Sequence, residues 1–237
     1  MTLEDRVVLV TGATGPVGRS VATTYSNAGA RLVLAGTDRE RLDSMAADLA
    51  LPEHRWVPAV GDLRDPTGAR DAVTVATERF GRHDILLHLV GGWVGGTAVM
   101  DLDPTELRGM LDQHLWSTLH VAKAAVPIMI EQGWGRVIAV SSPFAAEPGP
   151  RGASYAIAKS AEEVLLRTLS RELGGSGVTA NIVVVRTVDA NHERQTAPSP
   201  KNASWTTPEE VAAAMLLLCL PGADAISGVR IPLYGRS

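Results

Sequence analysis

Short runs of consecutive apolar residues alternate along this chain with longer stretches in which apolar residues recur every three or four positions. The runs are Val7–Val10, Arg31–Ala35, Arg55–Ala59, Ile85–Val90, Arg136–Val140, Val178–Val184 and Val229–Leu233. Most are apolar nearly throughout, as strands covered on both faces of a parallel sheet must be. The stretches between them have helical period. Strand and helix in alternation predict βαβ units with right-handed crossovers. The expectation is therefore an α/β fold: a doubly wound parallel sheet of about seven strands with helices on both faces. No linker interrupts the pattern, so residues 1–237 are expected to form one domain. The only long irregular segment, 186–204, is rich in Pro, Asn and Ser. A loop of that length inside a compact domain is more often a functional lid than a spacer.

Two helices are clearest. From Pro104, the residues Leu107, Leu111, Leu115, Leu119 and Ala122 predict one apolar face. Asp103 is its expected N-cap, Pro104 its first helical residue and Glu106 its N3 residue. Pro127 is expected to bend or end it. The second helix places Ala161, Val164, Leu165, Thr168, Leu169 and Leu173 on one face and stops at Gly174-Gly175.

Composition narrows the classes of partner. A net charge of -4 speaks against a nucleic-acid or anionic-membrane surface. No apolar run reaches the length of a membrane span. The acidic start, MTLEDR, does not resemble a secretory signal. One cysteine, Cys219, allows no internal disulfide and no multi-cysteine metal site, so no metal is expected. A cytoplasmic, reducing location fits this usage.

Candidate chemistry sits where strands end. The first run ends in VTGATGPVGRS, with glycines at 12, 15 and 18 between strand and helix. Small residues there let a pyrophosphate approach the backbone amides at the helix N-terminus, although a plain β–α turn is the alternative. Asp62 follows the third strand, at the edge where ligands of doubly wound sheets bind. It either accepts a hydrogen bond from an adenine amino group or caps the next turn. In SYAIAKS, Tyr155 and Lys159 stand four apart and share one helix face. The only tyrosines are 25, 155 and 234 and the only lysines 123, 159 and 201, so chance pairing is rare. A phenol ionises near ~10, too high for acid–base work at neutral pH, and an adjacent ammonium lowers that value. Ser142 closes the strand RVIAVSS thirteen residues earlier, where its hydroxyl can hold a substrate oxygen beside the phenol.

These elements together resemble the short-chain dehydrogenase/reductase family over nearly the whole chain. The glycine-rich turn, Asp62, Ser142, Tyr155, Lys159, Asn181 and TPEEVAAAM fall in the family's order and spacing. The resemblance implies a Rossmann-type sheet and an oxidoreductase. It implies hydride transfer between C4 of NADP or NAD and a carbonyl or alcohol substrate. Tyr155 would be the acid/base, Lys159 would lower its pKa and bind the nicotinamide ribose, and Ser142 would orient the substrate oxygen. Implied cofactor contacts are Thr11, Gly12, Thr14, Gly15, Val17, Gly18, Thr37, Arg39, Asp62, Leu63, Gly91 and Val188, with Tyr155 and Lys159. A homotetramer or homodimer is expected, built on the helices near 104–126 and 153–173. A small-molecule substrate is expected, and neither nucleic acid nor membrane as partner.

The chain departs from the family in several places. Pro16 replaces the middle glycine of the first turn, and Gly15 is expected to take over its flexible role. His114 stands where the family has a relay asparagine. It either relays protons or serves as a polar helix residue with a local partner. Val185-Arg186 and Ala190 replace the family's nicotinamide-clamping positions. At the end of the second strand no acid occupies the ribose-binding position, which reads Gly36-Thr37-Asp38-Arg39. Arg39 is expected to attract a 2′-phosphate, a slight lean to NADP, while Asp38 could instead bind the ribose.

The last departure is LLHLVGGWVGG, where His88-Leu89-Val90-Gly91 replaces Asn-Asn-Ala-Gly. Gly91 and Gly92 would keep side chains off the dinucleotide. Trp93, with Phe144, would form the wall of the substrate site, unless Trp93 only packs under the loop. The polar loop from Asn191 to Arg194 suggests a small or medium polar substrate. GGWVGG is also similar to dihydropteridine reductase, so a quinonoid reductase is a second reading. A catalytically impaired dinucleotide-binding sensor or scaffold is a third.

Overall fold

The computed structural model describes residues 3–234; Met1–Thr2 and Gly235–Ser237, which the expected 1–237 domain includes, lie outside the described residues. Seven strands form one parallel sheet: β1 (Val7–Thr11), β2 (Arg31–Gly36), β3 (Trp56–Val60), β4 (Ile85–His88), β5 (Gly135–Ser141), β6 (Val178–Val184) and β7 (Arg230–Pro232). Their order in space is β3-β2-β1-β4-β5-β6-β7. The seven predicted runs match these strands within two residues at each end. Val7 to Thr11 and Ile85 to His88 are buried without interruption, which explains the unbroken apolar reading.

Helices cover both faces. On one lie α1 (Pro16–Asn27), α2 (Arg39–Asp48) and α8 (Pro208–Leu217), whose Val21, Leu42 and Met215 bury against Val8, Val10 and Leu34. On the other lie α3 (Pro66–Phe80), α4 (Pro104–Leu111), α5 (Ser117–Glu131) and α6 (Ala153–Glu172). There Val73, Val121, Met129 and Leu166 pack on Leu9, Leu86 and Val137. The strand order reverses between β1 and β4. Their following helices therefore go to opposite faces, and a crevice opens at the carboxyl edge between them.

The long helix differs from its predicted form. A single π turn, Asp112–Trp116, joins α4 to α5 and shifts the register by one residue. The buried stripe is Met110, His114, Ser117, Thr118 and Val121, while Leu107, Leu111, Leu115 and Leu119 are only half-buried. Pro127 neither ends the helix nor takes a buried position; it is exposed, and α5 runs on to Glu131. In α6 the predicted apolar face is right only in part: Leu173 is buried and Leu169 packs on the core, but the most buried stripe is another. Lys159, Glu162, Glu163 and Leu166 are buried, and Val164 is 61% exposed. Both stripes facing the sheet carry polar groups that bond one another, which a hydrophobicity pattern does not reveal.

The segment 186–204 is also more ordered than its composition suggests. It holds the short helix α7 (Glu193–Thr196), begun by Asp189, whose carboxylate accepts from the Glu193 and Arg194 amides. Val188 forms a parallel bridge with Thr206, and Arg194 reaches the Trp205 carbonyl and Glu210.

Gly12 and Gly18 fix the β1–α1 junction. Gly12 has φ +64° and a Cβ there would lie 3.0 Å from the Leu89 carbonyl. A Cβ on Gly18 would come within 2.3 Å of the Ala13 carbonyl oxygen. Gly15, by contrast, has an ordinary φ of -75°, so it does not replace the lost glycine as a flexible hinge. Pro16 is the first residue of α1, where its missing N–H costs nothing. Gly18→Ala should therefore destabilise the protein by about 1–3 kcal/mol in urea unfolding, whereas Gly15→Ala should cost much less.

Candidate active site

The crevice between β1 and β4 has a volume of about 630 Å³. Ten of the expected cofactor contacts line it: Gly12, Thr14, Gly15, Val17, Gly18, Thr37, Asp62, Leu63, Gly91 and Val188. Ala190, named as a departure, lines it too. A side chain at Gly12 or Gly18 would collide with backbone, so the floor is held at main-chain height beside the N-terminus of α1.

Four expected contacts do not line the crevice: Tyr155 and Lys159, on α6, and Thr11 and Arg39. Thr11 is fully buried behind the crevice, and its hydroxyl serves the sheet. It lies 3.0 Å from His88 Nδ1 and accepts from the Leu89 amide at 3.1 Å. Arg39 pairs with Asp43 on the exposed side of α2, because residues four apart on a helix meet. Arg41, two residues further into α2 and so on a different side of it, lines the crevice instead. Asp38 is taken as the N-cap of α2, accepting from the Arg41 amide. Asp62 caps no helix; it holds Arg64 through the amide and a bidentate side-chain contact, closest at 2.6 Å. The Arg64 guanidinium holds the Asp62 carboxyl below the usual carboxylate range. Arg41, Arg64, Gln113 and Ser117 line the crevice without having been singled out in the sequence. Their only prior signal was position, since two of them stand on the helix after the π turn's start and none belongs to a motif.

Tyr155 is half-buried on α6, between two rings. The His114 ring is 5.5 Å away and the Phe144 ring 6.2 Å away, both edge-to-face. Lys159 is buried one turn later. Its ammonium donates to the Val140 carbonyl at 2.7 Å and to Glu162 at 2.6 Å. Ser142 is buried at the end of β5; its oxygen accepts from the Phe144 amide at 3.3 Å, which leaves the hydroxyl proton free to donate.

His114 Nε2 lies 3.0 Å from the Gly92 carbonyl, which can only accept, so Nε2 carries the proton. Nδ1 is then a bare acceptor, buried and without a partner among the described residues. Burial, with Lys159 adding to it, pushes the His114 pKa down to about 3. The local partner expected of a polar helix residue is thus present, and the imidazole stays neutral at physiological pH. His88 is neutral for the same reasons, down to about 3. Ser117 donates to the Gln113 carbonyl at 2.6 Å, so His88 Nε2 donates to Ser117 and Nδ1 accepts from Thr11. This closed chain ties β1, β4 and α5 together where the family carries asparagines.

The loop after β4 is stapled to the turn before α6, with the Gly96 amide donating to the Arg151 carbonyl at 2.8 Å. The Trp93 ring lies over Gly95, where a Cβ would meet it at 2.5 Å. Trp93 is 61% exposed, so it does not pack under the loop. Phe144 fills the space beside Gly149 and Gly152.

A parallel sheet with a main-chain cradle at its switch point, and a Tyr–Lys pair beside it, defines a dinucleotide-binding oxidoreductase architecture. The comparisons agree. Residues 6–201 match the family model for short chain dehydrogenases, and the chain belongs to that family. An uncharacterised oxidoreductase of Staphylococcus aureus (strain USA300) is 29% identical over 214 residues, covering 90% of each chain. Among solved structures, a short-chain dehydrogenase/reductase from Brucella melitensis (glucose/ribitol dehydrogenase) has 27% identity and a TM-score of 0.84, covering 98% of this chain and 97% of its own. A levodione reductase has 26% identity and a TM-score of 0.87 over the same shares. An NADPH-bound short chain oxidoreductase from Pseudomonas aeruginosa PAO1 has 22% identity and a TM-score of 0.90, covering 100% and 98%, a likeness of fold. Among the described residues no helix is long and apolar enough to cross a membrane.

Buried neutral histidines make the fold acid-sensitive. His83, wholly buried, has its pKa pushed down by burial to about 4, and His88 and His114 fall to about 3. In the unfolded chain each binds a proton below about 6.5. Between these values unfolding takes up protons, so stability is full above pH ~6.5 and falls as acid is added. The slope is up to about 1.4 kcal/mol per pH unit for each histidine. Thermal unfolding should show Tm dropping clearly from pH 7 to pH 5; a flat Tm would contradict the buried neutral assignments.

Proposed function

We propose that this protein is an NAD(P)-dependent carbonyl reductase or alcohol dehydrogenase in which Tyr155 moves the proton. The observation that supports this best is the setting of the phenol. Tyr155 is half-exposed toward the carboxyl edge of the sheet, with the buried ammonium of Lys159 one turn away. A positive charge near a phenol favours its ionised form, which is the form that takes a proton from an alcohol. Ser142 has a hydroxyl proton to offer a substrate oxygen. His114 holds the Gly91-Gly92 backbone in place through the Gly92 carbonyl, and its bare Nδ1 can accept a hydrogen bond from water or substrate. The dinucleotide would lie along the Gly12–Gly18 cradle and, once bound, would supply or accept the hydride. Trp93 and Phe144 would wall a small-molecule substrate.

Carbonyl reduction then needs one proton from this chain, given by the Tyr155 hydroxyl; alcohol oxidation needs the phenolate to take one. Tyr155→Phe should lower kcat by at least ~100-fold on any substrate found in a carbonyl and alcohol panel, with cofactor binding retained. Full activity in that variant would overturn the reading. Binding of cofactor by the unaltered protein without turnover across the panel would favour a sensor.

The cofactor is proposed to be NADP rather than NAD, with Arg41 rather than Arg39 as the 2′-phosphate contact. Arg41 and Thr37 line the crevice at the end of β2, and no carboxylate lines it there to repel a phosphate. Arg41→Ala should raise KM for NADPH about tenfold or more, the cost of one hydrogen bond to a charged group, and leave KM for NADH unchanged. A strong NADH preference in the unaltered protein would defeat this assignment.

We also propose a homodimer or homotetramer. Trp116, Ile130, Ile157 and Val164 are exposed apolar residues on the π turn, α5 and α6, the helices expected to meet between subunits.

A further inference from the structure

The environment of Lys159 contains a group that the reading above does not use. Glu162, one turn after Lys159 on α6, is almost fully buried. Its Oε2 accepts from the Lys159 ammonium at 2.6 Å. Its Oε1 lies 3.1 Å from the Thr118 hydroxyl oxygen. That hydroxyl has one proton and a closer acceptor, the His114 carbonyl at 2.5 Å. A carbonyl cannot donate, so the Thr118 proton goes to His114. The Oε1 contact is then satisfied only if the carboxyl itself donates to Thr118. The geometry thus accommodates a neutral Glu162 hydrogen-bonded at both oxygens, with Lys159 still an ammonium.

The two protonation states differ by a full charge at Lys159, one helical turn from Tyr155. With Glu162 ionised, Lys159 and Glu162 sum to zero. With Glu162 neutral, the pair presents one positive charge to Tyr155. Other groups facing the site do not supply that charge. Glu163 is taken up by Arg230 at 2.7 Å, and His114 and His88 stay neutral at physiological pH.

Resting on the Tyr155–Lys159 reading, we propose that Glu162 is a positioning residue whose buried carboxyl sets how much positive charge Lys159 presents to the Tyr155 phenol. Burial raises the Glu162 pKa above the usual carboxylate range, which brings this exchange closer to working pH. As Glu162 loses its proton with rising pH, part of the help Lys159 gives to the phenolate is cancelled. Glu162 touches neither the reacting atoms nor the cofactor crevice; it acts through Lys159.

The test is a direct titration of Tyr155. Phenolate absorbance is followed against pH in the intact protein, and the Tyr155→Phe trace is subtracted to isolate Tyr155 from Tyr25 and Tyr234. Glu162→Gln keeps the hydrogen-bonding shape and removes the negative charge. It should lower the Tyr155 midpoint by about one pH unit, about tenfold more phenolate at a given pH. The limb of the alcohol-oxidation rate that rises with pH should shift the same way. Thr118→Val removes the acceptor that the neutral carboxyl donates to, favours the ionised form, and should raise the midpoint; it carries the test if Glu162→Gln does not fold. An unchanged midpoint in the folded variant overturns the proposal even if Tyr155→Phe is inactive. An active Tyr155→Phe overturns the acid–base reading, while the titration still decides the role of Glu162.

Discussion

The constraint on which this structure depends is that a parallel sheet must be covered on both faces. The strands from β1 to β6 lie between helix layers, and the chain meets this by laying α1, α2 and α8 on one face and α3 to α6 on the other. Where the order turns, between β1 and β4, no helix can cover the carboxyl edge. The crevice is therefore a topological consequence, and the chemistry occupies the one place on the edge that packing leaves open. Gly12 and Gly18 follow from the same constraint. They let α1 start directly beneath the opening, with backbone instead of side chains facing it.

Beneath the opening the packing is polar and closed on itself. Thr11, His88, Ser117 and the Gln113 carbonyl form one chain; Lys159, Glu162, Thr118 and the His114 carbonyl form another. Removing one member of such a chain leaves its neighbours buried without partners, and that loss exceeds the modest net gain of making each bond. This ties site geometry to stability. The residues that orient the Gly91-Gly92 backbone and the Lys159 ammonium also join β1, β4, α5 and α6. The π turn has a place here: by adding one residue it brings His114, Ser117 and Thr118 onto the buried stripe together.

A buried ammonium needs a partner or a carbonyl to be tolerable, and Lys159 has both, in Glu162 and the Val140 oxygen. The arrangement holds the side chain in one place, at the cost of tying its charge to a neighbour. In this chain the lysine's charge is thus shared with a carboxyl that lies outside the Tyr155–Lys159 motif.

Much of this was legible in the sequence. Apolar runs marked β1, β2 and β4 to β6 cleanly because strands buried on both faces are apolar nearly throughout. Further runs marked the partly exposed edge strands β3 and β7. The Tyr155–Lys159 spacing placed both groups on one helix face because helical geometry is local. Asp103 as cap and Pro16 and Pro104 as first helical residues follow from the same local rules. What only the tertiary structure decided was which side of each helix faces inward and which partner each charge takes. Arg39 reads like a phosphate ligand until Asp43 claims it, and Arg41 has no signal until α2 turns it into the crevice. The apolar faces of the helix from Pro104 and of α6 read as buried, yet the sheet receives His114, Thr118, Lys159 and Glu162. Hydrophobic periodicity assumes that polar groups seek water. When they can bond one another across elements distant in sequence, that assumption fails, and only the folded arrangement shows it.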